Sequence, residues 1–527
     1  MNLGDSPTII GIVVLYFIVL LLIAAWARKA GTDVAGYYVA GKKLPSWVIG
    51  FSHNTTGESA WLLLGLTGMA YAVGIHALWV VFGEVIGVAL AWVLVARPFK
   101  EYTDRYDSIT VPDFLEDRFK DRTNTLRWIS AFIIFSMGAF YVAAQLTASG
   151  KAFEEFLGTS YQVGVLLGAA VILYYTTVGG FKAVAYADLL NGILMFGCLL
   201  TLPIVGIIAA GGWSEMWATL NAQDPALLDI FGGLGLGYPA VAAILSFVGI
   251  GFAFLGSPQL VTRFISGRDR QSVTDASLIA VSVIVVFGLG AVFTGIAGRA
   301  LFPGLADPET IYPVLGSALF PAVFTGLFLV VLLAAMMSTT DSLLILVSSA
   351  VIRDVVQKVF NVDYSERTLS RLGKAVTVVL GVAALLLALQ EARVIFWFVL
   401  FAWSGMASAF TPVILCALFW KRTTRAGAIA GMSAGFLTTV IWVMWIREHF
   451  FDLYEMIPGF AMGFAATIVV SLFTEPPEGA DEDFEAVQRV VGSPFRATTM
   501  RDQVVASSSP VATDGTPSVA REGDRDS

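Results

Sequence analysis

The chain has 527 residues, 57% of them apolar and 14% charged, with a mean hydropathy of +0.77, which excludes a soluble enzyme and describes an integral membrane protein. The formal charge of −8 offers no basis for nucleic-acid binding, because much of the acid lies beyond Leu472, in Glu475, Glu478, Asp481, Glu482, Asp483 and Glu485. The two cysteines, Cys198 and Cys416, both fall in apolar segments, so neither a disulfide nor a thiolate metal site is expected.

At ~20 residues per crossing, hydropathy predicts about thirteen spans. They are residues 8–27, 45–74, 77–96, 127–157, 161–179, 183–210, 238–262, 276–301, 321–350, 373–390, 395–420, 425–446 and 457–473. The first lacks a charged leader and a small-residue cleavage pattern, so it reads as a retained helix. The expected organisation is a membrane domain over 1–474 and a cytoplasmic tail over 475–527. That tail is too polar to fold alone and is expected to be largely disordered, from about 495 onward, with no soluble catalytic domain.

The second span is unusual. FSHNTTGESAWLLLGLTG, Phe51 to Gly68, carries a run of polar and small residues with Glu58 inside it. In hydrocarbon every backbone N–H and C=O needs a partner, so helix-weakening residues are tolerated where the backbone lines a polar cavity. Small residues also serve close helix contacts, but a buried carboxylate costs ~2.5–3.5 kcal/mol or more. The stretch therefore predicts a broken helix at a binding site. In the third span Glu84 sits in GEVIG, whose GxxxG spacing predicts close helix packing and turns Glu84 toward the bundle.

Further along, the inner loop from Arg97 to Arg127 contains VPDFLEDRF, which predicts a short amphipathic helix at the membrane surface or a solvated loop. Asp188 opens the sixth span, as either a helix-terminal charge or a partner of Asp341 in a cation or proton step. The Gly232–Gly237 run precedes a membrane helix and follows no strand, so it gives little footing for phosphate binding. In the ninth span, LLAAMMSTTDSLLILVSS, Ser338, Asp341 and Ser342 share one face at 100° per residue. Hydroxyls and the carbonyls of an unwound helix suit a hard cation that must be released again, so the second and ninth spans together predict a Na+ site. The three histidines, His53, His76 and His449, are too scattered for a metal-ligand pattern, and no transition metal is expected.

Lys and Arg fix the orientation. With the N-terminus outside and the C-terminus in the cytoplasm, only Lys151, Arg299, Arg393 and Arg447 of 32 basic residues fall outside; Arg263, Arg268 and Arg270 count as one inner connection.

These residues resemble the sodium:solute symporter family, and are most similar to its bacterial sodium/proline branch. The matching blocks are YYVAGKKLPSW with WLLLGLTG, YYTTVGGFKAV with the Ala187–Asp188 pair, LGSPQLVTRF, LLAAMMSTTDSLLILVSS, FAWSGMASAFTPVILCALFWKRTTRAGAIAGM and LYEMIPGF. The resemblance implies an all-α membrane fold with a LeuT-type core of two inverted five-helix repeats, about 45–210 and 238–420, the first helix of each interrupted near mid-membrane. It implies a Na+ site made by the carbonyls of Thr55, Glu58 and Ala335 with the hydroxyls of Ser338 and Thr339. Lys42 and Asp188 match positions linked to sodium coupling, with Asp341 and Ser342 beside them.

The solute site is expected to draw on His53, Asn54, Tyr141, Ile250, Phe254, Ser257 and Gln259. It departs from the proline branch. Gly57 stands where that branch has an aspartate, Glu58 comes one place later, and Ile250 and Phe254 replace a Trp and a Tyr, which removes two donors and alters the polar pattern recognised. The function expected is a secondary active transporter, not an enzyme. It couples inward Na+ movement to uptake of a small organic solute in a multi-pass cell membrane protein, with Na+ as the coupling ion and no cofactor. Proline or a related amino acid or compatible solute is the favoured cargo, with a carboxylate, a sugar and a vitamin as further candidates. The rivals are proton coupling through Glu58, Glu84 or Asp188, and a transporter-like membrane sensor. Oligomeric state is not legible.

Overall fold

The computed structural model describes residues 6–390 and 395–491. Among these residues the fold is all-helical, its one extended feature being a parallel bridge between Leu44 and Gly267. Among the described residues ten helices are long and apolar enough to cross a membrane, and Met456–Leu472 is a shorter apolar one. The chain is a multi-pass membrane protein.

The first helix, α1 (Pro7–Ala27), shows how composition becomes position. It is apolar all round, yet only the stripe Ile9, Val13, Tyr16, Leu20, Ala24 and Ala27 is buried, while Leu15, Leu22 and Trp26 stay exposed. Such a helix sets one face on protein and offers the rest to lipid.

Two continuous runs are far too long for one crossing: 46–105 has 60 residues and 161–209 has 49, roughly 90 and 75 Å at 1.5 Å per residue. Both are broken by glycine in a left-handed conformation, at Gly74 (φ 62°) and Gly180 (φ 58°). At Gly180 a side chain would also strike Tyr37, whose Cδ2 lies 2.7 Å from the position a Cβ would take.

In the first run, α2 (Ser46–Ala60) passes through a π-helical turn, Trp61–Leu66, into α3 (Thr67–Val73), and then come α4 (Leu78–Leu90) and α5 (Ala96–Arg105). After the short α6 (Val111–Phe119) come α7 (Thr125–Leu157) and α8 (Tyr161–Ala209). The next span is itself interrupted: α9 (Tyr238–Ile250) gives way to a 3-10 turn at Gly251–Leu255 and resumes as α10 (Pro258–Ser266). Then follow α11 (Arg270–Leu301), α12 (Ala322–Ser349), α13 (Glu366–Ala388), α14 (Ile395–Phe419), α15 (Arg425–Ile441) and α16 (Met456–Leu472).

α12 is the axis of the bundle. Every residue from Phe328 to Ser349 is buried, and the helix packs on α1, α2, α7 and α8. The GEVIG expectation is met on α4: a Cβ at Gly83 would lie 2.3 Å from Val248 O and one at Gly87 1.9 Å from Gly251 O, so the glycines admit the interrupted span at backbone distance.

At the basic end of the bundle, α6 is a helix as the VPDFLEDRF pattern allows, capped by the Thr110 hydroxyl, which accepts from Asp113 N at 3.0 Å. It is not a free surface helix. Asp113 pairs with Arg127 (2.8 Å) and Arg353 (3.2 Å), and Asp354 with Arg127 (2.5 Å), so α6 is locked to α7 and to the π-helical continuation of α12.

The tail begins with an ordered segment ahead of the residues expected to be disordered from about 495. α17 (Ala480–Val491) is a helix docked on the basic end: Arg105 Nη2 and Tyr106 Oη donate to Asp483 at 2.9 and 3.0 Å, Arg270 donates to Val490 O at 2.8 Å, and Val487 is buried. Its apolar face gives it something to bury, which a count of its acidic residues misses. The expected disorder from 495, like Arg393, lies outside the described residues.

Candidate functional site

The predicted break is in α2. Ser59 takes φ 47° and ψ −167°, a conformation costing an L residue ~1–3 kcal/mol. Side chains hold it there. The freed Ala60 N–H donates to Gln145 Oε1 on α7 (3.2 Å), Trp61 N–H donates to Ser59 Oγ (3.2 Å), and Tyr141 Oη donates to the same hydroxyl (3.4 Å).

Opposite the break lies the hydroxyl face of α12. Ser338 Oγ is 2.9 Å from both Thr55 O and Ala335 O, and Thr339 Oγ1 donates to Thr56 O at 2.8 Å. Thr55, Ala335 and Ser338 thus converge at one point with Thr339 beside them. The Glu58 carbonyl accepts from Trp61 N–H.

One helical turn toward the basic end is a buried polar network that joins α2, α8, α10 and α12. Asp188 accepts from Ser52 Oγ (2.6 Å), Thr56 Oγ1 (3.2 Å) and Arg263 Nη2 (3.0 Å). Arg263 also donates to Ser52 Oγ (3.0 Å), Thr56 Oγ1 (2.6 Å), Gln259 O (2.6 Å) and Ser342 Oγ. Asp341 accepts from Tyr175 Oη (2.5 Å) and Ser342 Oγ (3.1 Å). Asp188 is therefore no interfacial helix-end charge, and Arg263 no loop cation: both are essentially inaccessible. The span continues through the Gly251–Leu255 turn to Ser266 and carries Arg263 into the core.

Lys42 stands apart from this network, donating to Thr103 O (2.9 Å) and facing Asp104 and Asp107 (each 3.5 Å).

A small cavity of about 10 Å³, room for one water-sized group, lies against α2, lined by Gly57, Trp61, Glu84, Tyr141, Ile250, Phe254 and Trp403 among others. Tyr141, Ile250 and Phe254 thus meet as a group. Phe254 fills the space beside Gly57: a Cβ there would lie 2.5 Å from its ring. Trp403 Nε1 donates to Ile250 O (3.1 Å) and its ring meets Phe254 edge-on at 5.3 Å.

The other expected solute residues lie elsewhere. His53 is packed between Trp92 and Phe264, with ring centroids 5.1 and 5.5 Å away. Asn54 donates to Ala280 O on α11 (2.5 Å), Ser257 is the N-cap of α10, and Gln259 lines a cavity with Arg263, Ser342 and Tyr38. Sequence reasoning passed over Arg263, Ser52, Thr56, Tyr175 and Gln145. For Arg263 a signal exists: it follows Gln259 by four residues, on the same face of an apolar helix.

A model of the sodium:solute symporter family matches residues 37–435. The chain belongs to the sodium:solute symporter family. Its relatives include the high-affinity proline transporter PutP of Bacillus subtilis, 35% identical over 469 residues (88% of this chain, 98% of that protein), and the osmoregulated proline transporter OpuE of the same organism, 35% identical over 471 residues (88% and 95%). A sodium/proline symporter of Staphylococcus aureus is 31% identical over 493 residues (91% and 95%).

Among solved structures, the substrate-bound, outward-open state of a Na+-coupled sialic acid symporter superposes with a TM-score of 0.77 at 18% identity, covering 89% of this chain and 99% of that one. At that identity the likeness establishes the fold. The symporter is a secondary transporter and not an enzyme, and it couples Na+ to solute movement. The interrupted α2 and the interrupted α9–α10 span stand where the two-repeat arrangement expects a broken helix.

Proposed function

We propose that this symporter takes up proline or a related amino acid together with Na+, by alternating access around the broken α2. Na+ is cargo here, and the cycle calls on no resident cofactor. The ion is bound by the carbonyls of Thr55, Glu58 and Ala335 and the hydroxyls of Ser338 and Thr339. Supporting this, two hydroxyls of α12 meet the carbonyls of Thr55 and Thr56 beside the break in α2. Neutral oxygen donors without a bound carboxylate suit an ion that must leave again on the other side. Asp188 and Arg263 form a neutral closure beneath that point, and Asp341 and Ser342 relay its position to α12.

Counting 46–105 and 161–209 as two crossings each, with Met456–Leu472 added, gives thirteen spans. That parity supports N-terminus outside and C-terminus inside. Each Na+ entering down −100 mV supplies roughly 2.3 kcal/mol, about a 50-fold solute gradient.

The test is Na+-driven proline uptake into proteoliposomes by Ser338→Ala. The Na+ concentration for half-maximal uptake should rise on the order of tenfold, as expected for loss of a hydrogen-bonding ligand to a charge, while the proline requirement rises less. Equal loss of both, in protein that inserts and folds normally, counts against direct ligation.

A further inference from the structure

Among the described residues, the buried carboxylates nearly all have a cationic or hydroxyl partner. Asp188 has Arg263, Asp341 has Tyr175, Asp113 and Asp354 have Arg127, Asp121 has Arg425, and Glu455 has Ser404. Glu58 and Glu84 are different. Each is 1% exposed; neither oxygen of Glu58 and not Oε2 of Glu84 has a hydrogen-bond partner. The two also lie together. Glu84 lines the small cavity against α2, together with Tyr141 and with Gly57, the residue that precedes Glu58.

A buried carboxylate left without a partner is costly, and natural sites offset that cost with an opposite charge or an N–H donor. Among the described residues no Lys or Arg lines this cavity. Beside Gly57, Ile250, Val399 and Leu400, its wall carries four aromatic residues, Trp61, Tyr141, Phe254 and Trp403. Aromatic faces attract cations, most strongly where water is excluded. An unpartnered buried acceptor among four aromatic residues describes a seat for a positively charged nitrogen that bears hydrogens. The position of the cavity against the break in α2, next to Gly57 and Ile250, makes that nitrogen part of the solute and not of the protein.

We propose that Glu84, with Glu58 beside it, binds the ammonium group of the transported solute. The substrate class is therefore a zwitterion with a primary or secondary ammonium. A sugar or a dicarboxylate brings no positive charge to the pair, and a quaternary betaine brings charge without an N–H to donate. This rests on the Na+-coupled transport reading and narrows it. Phe254 occupies the room beside Gly57, and the cavity's carboxylate comes from Glu84 on α4.

The test uses the purified full chain, melted with and without Na+, against amino acids including proline and alanine, each paired with its N-acetyl derivative, and against tetrahydrofuran-2-carboxylate, glycine betaine, glucose and succinate. A ligand that binds only the folded protein raises its melting temperature in proportion to ln(1 + [L]/Kd). In Na+, an amino acid with a free ammonium should stabilise, and its N-acetyl partner should not. For Glu84→Gln the amino-acid concentration needed should rise on the order of tenfold or more, with the shift given by Na+ alone unchanged, which shows that the variant is folded. Stabilisation by both members of a pair, by the oxygen isostere of proline, or by glucose, succinate or betaine overturns the proposal. So does a Na+ shift that no amino acid adds to, or an unaltered amino-acid response in Glu84→Gln. Absence of any shift with Na+ counts instead against the coupled-transport reading.

Discussion

The buried pair Arg263–Asp188 can be taken apart and put back together. Asp188→Asn removes the one negative partner of Arg263, 3.0 Å away, but leaves the guanidinium four neutral acceptors: Ser52 Oγ, Thr56 Oγ1, Ser342 Oγ and Gln259 O. Arg263→Gln is harsher, because the carboxylate keeps only the hydroxyls of Ser52 and Thr56. Breaking a buried pair costs ~3–5 kcal/mol. Asp188→Asn belongs near 3 and Arg263→Gln near 5, since two hydroxyls compensate a stranded charge less well than four acceptors do. The double variant strands no charge and should cost much less than its parts combined, since removing both members of a buried pair together is often near neutral. Unfolding of the four proteins in mixed detergent micelles measures the cycle directly. Additivity of the two single variants to within ~0.5 kcal/mol would refute the claim that these residues act as a pair.

Two further outcomes are expected. Gly57→Ala brings a Cβ to 2.5 Å from the Phe254 ring, so the ring must shift; thermal melting should show a loss of ~1–3 kcal/mol, relieved when Phe254→Leu is added. No relief would show that the crowding lies elsewhere. In α6, burial holds the Asp117 carboxyl up to about 6, against the pull of the Ser108 hydroxyl. The fold therefore favours its protonated form, and that contribution is complete below the ordinary carboxylate range and lost as pH rises through about 6. Asp117→Asn should flatten the melting temperature across that window. Asp113 works in the opposite direction: burial raises its carboxyl, but Arg353 and Arg127 outweigh burial and hold it low, so its contribution survives until the pH falls below the ordinary range.

Local composition revealed some of this arrangement and hid the rest for definable reasons. The polar run from Ser52 to Ser59, with a carboxylate inside it, marks a break, and Ser59 is where the backbone gives way. GEVIG and the Ser338–Ser342 face are periodic, and periodicity survives in a sequence. Arg263 was misread because a charge near the end of an apolar stretch looks like a loop residue; only the turn at Gly251–Leu255 shows that the helix runs on past it. His53 and Asn54 lie in the polar run, yet they face Phe264 and Ala280, since rotation about the helix axis decides which polar residues reach the break. The helix over 480–491 escaped because its apolar residues matter only once there is a surface to receive them.

That helix, α17, has a consequence for turnover. It is held by Arg105 and Tyr106 at the end of α5, by Arg270 at the start of α11, and by Leu418 of α14, whose carbonyl accepts from Gln488 at 3.4 Å. These anchors belong to segments far apart in the sequence, and a rocking transporter must displace some of them relative to the others. The tail then behaves as a latch in series with the cycle: every opening on this side has to stretch or release it. Its grip is mostly exposed charge, which mobile ions weaken. The rate of opening should thus rise with ionic strength even when the Na+ gradient is held constant.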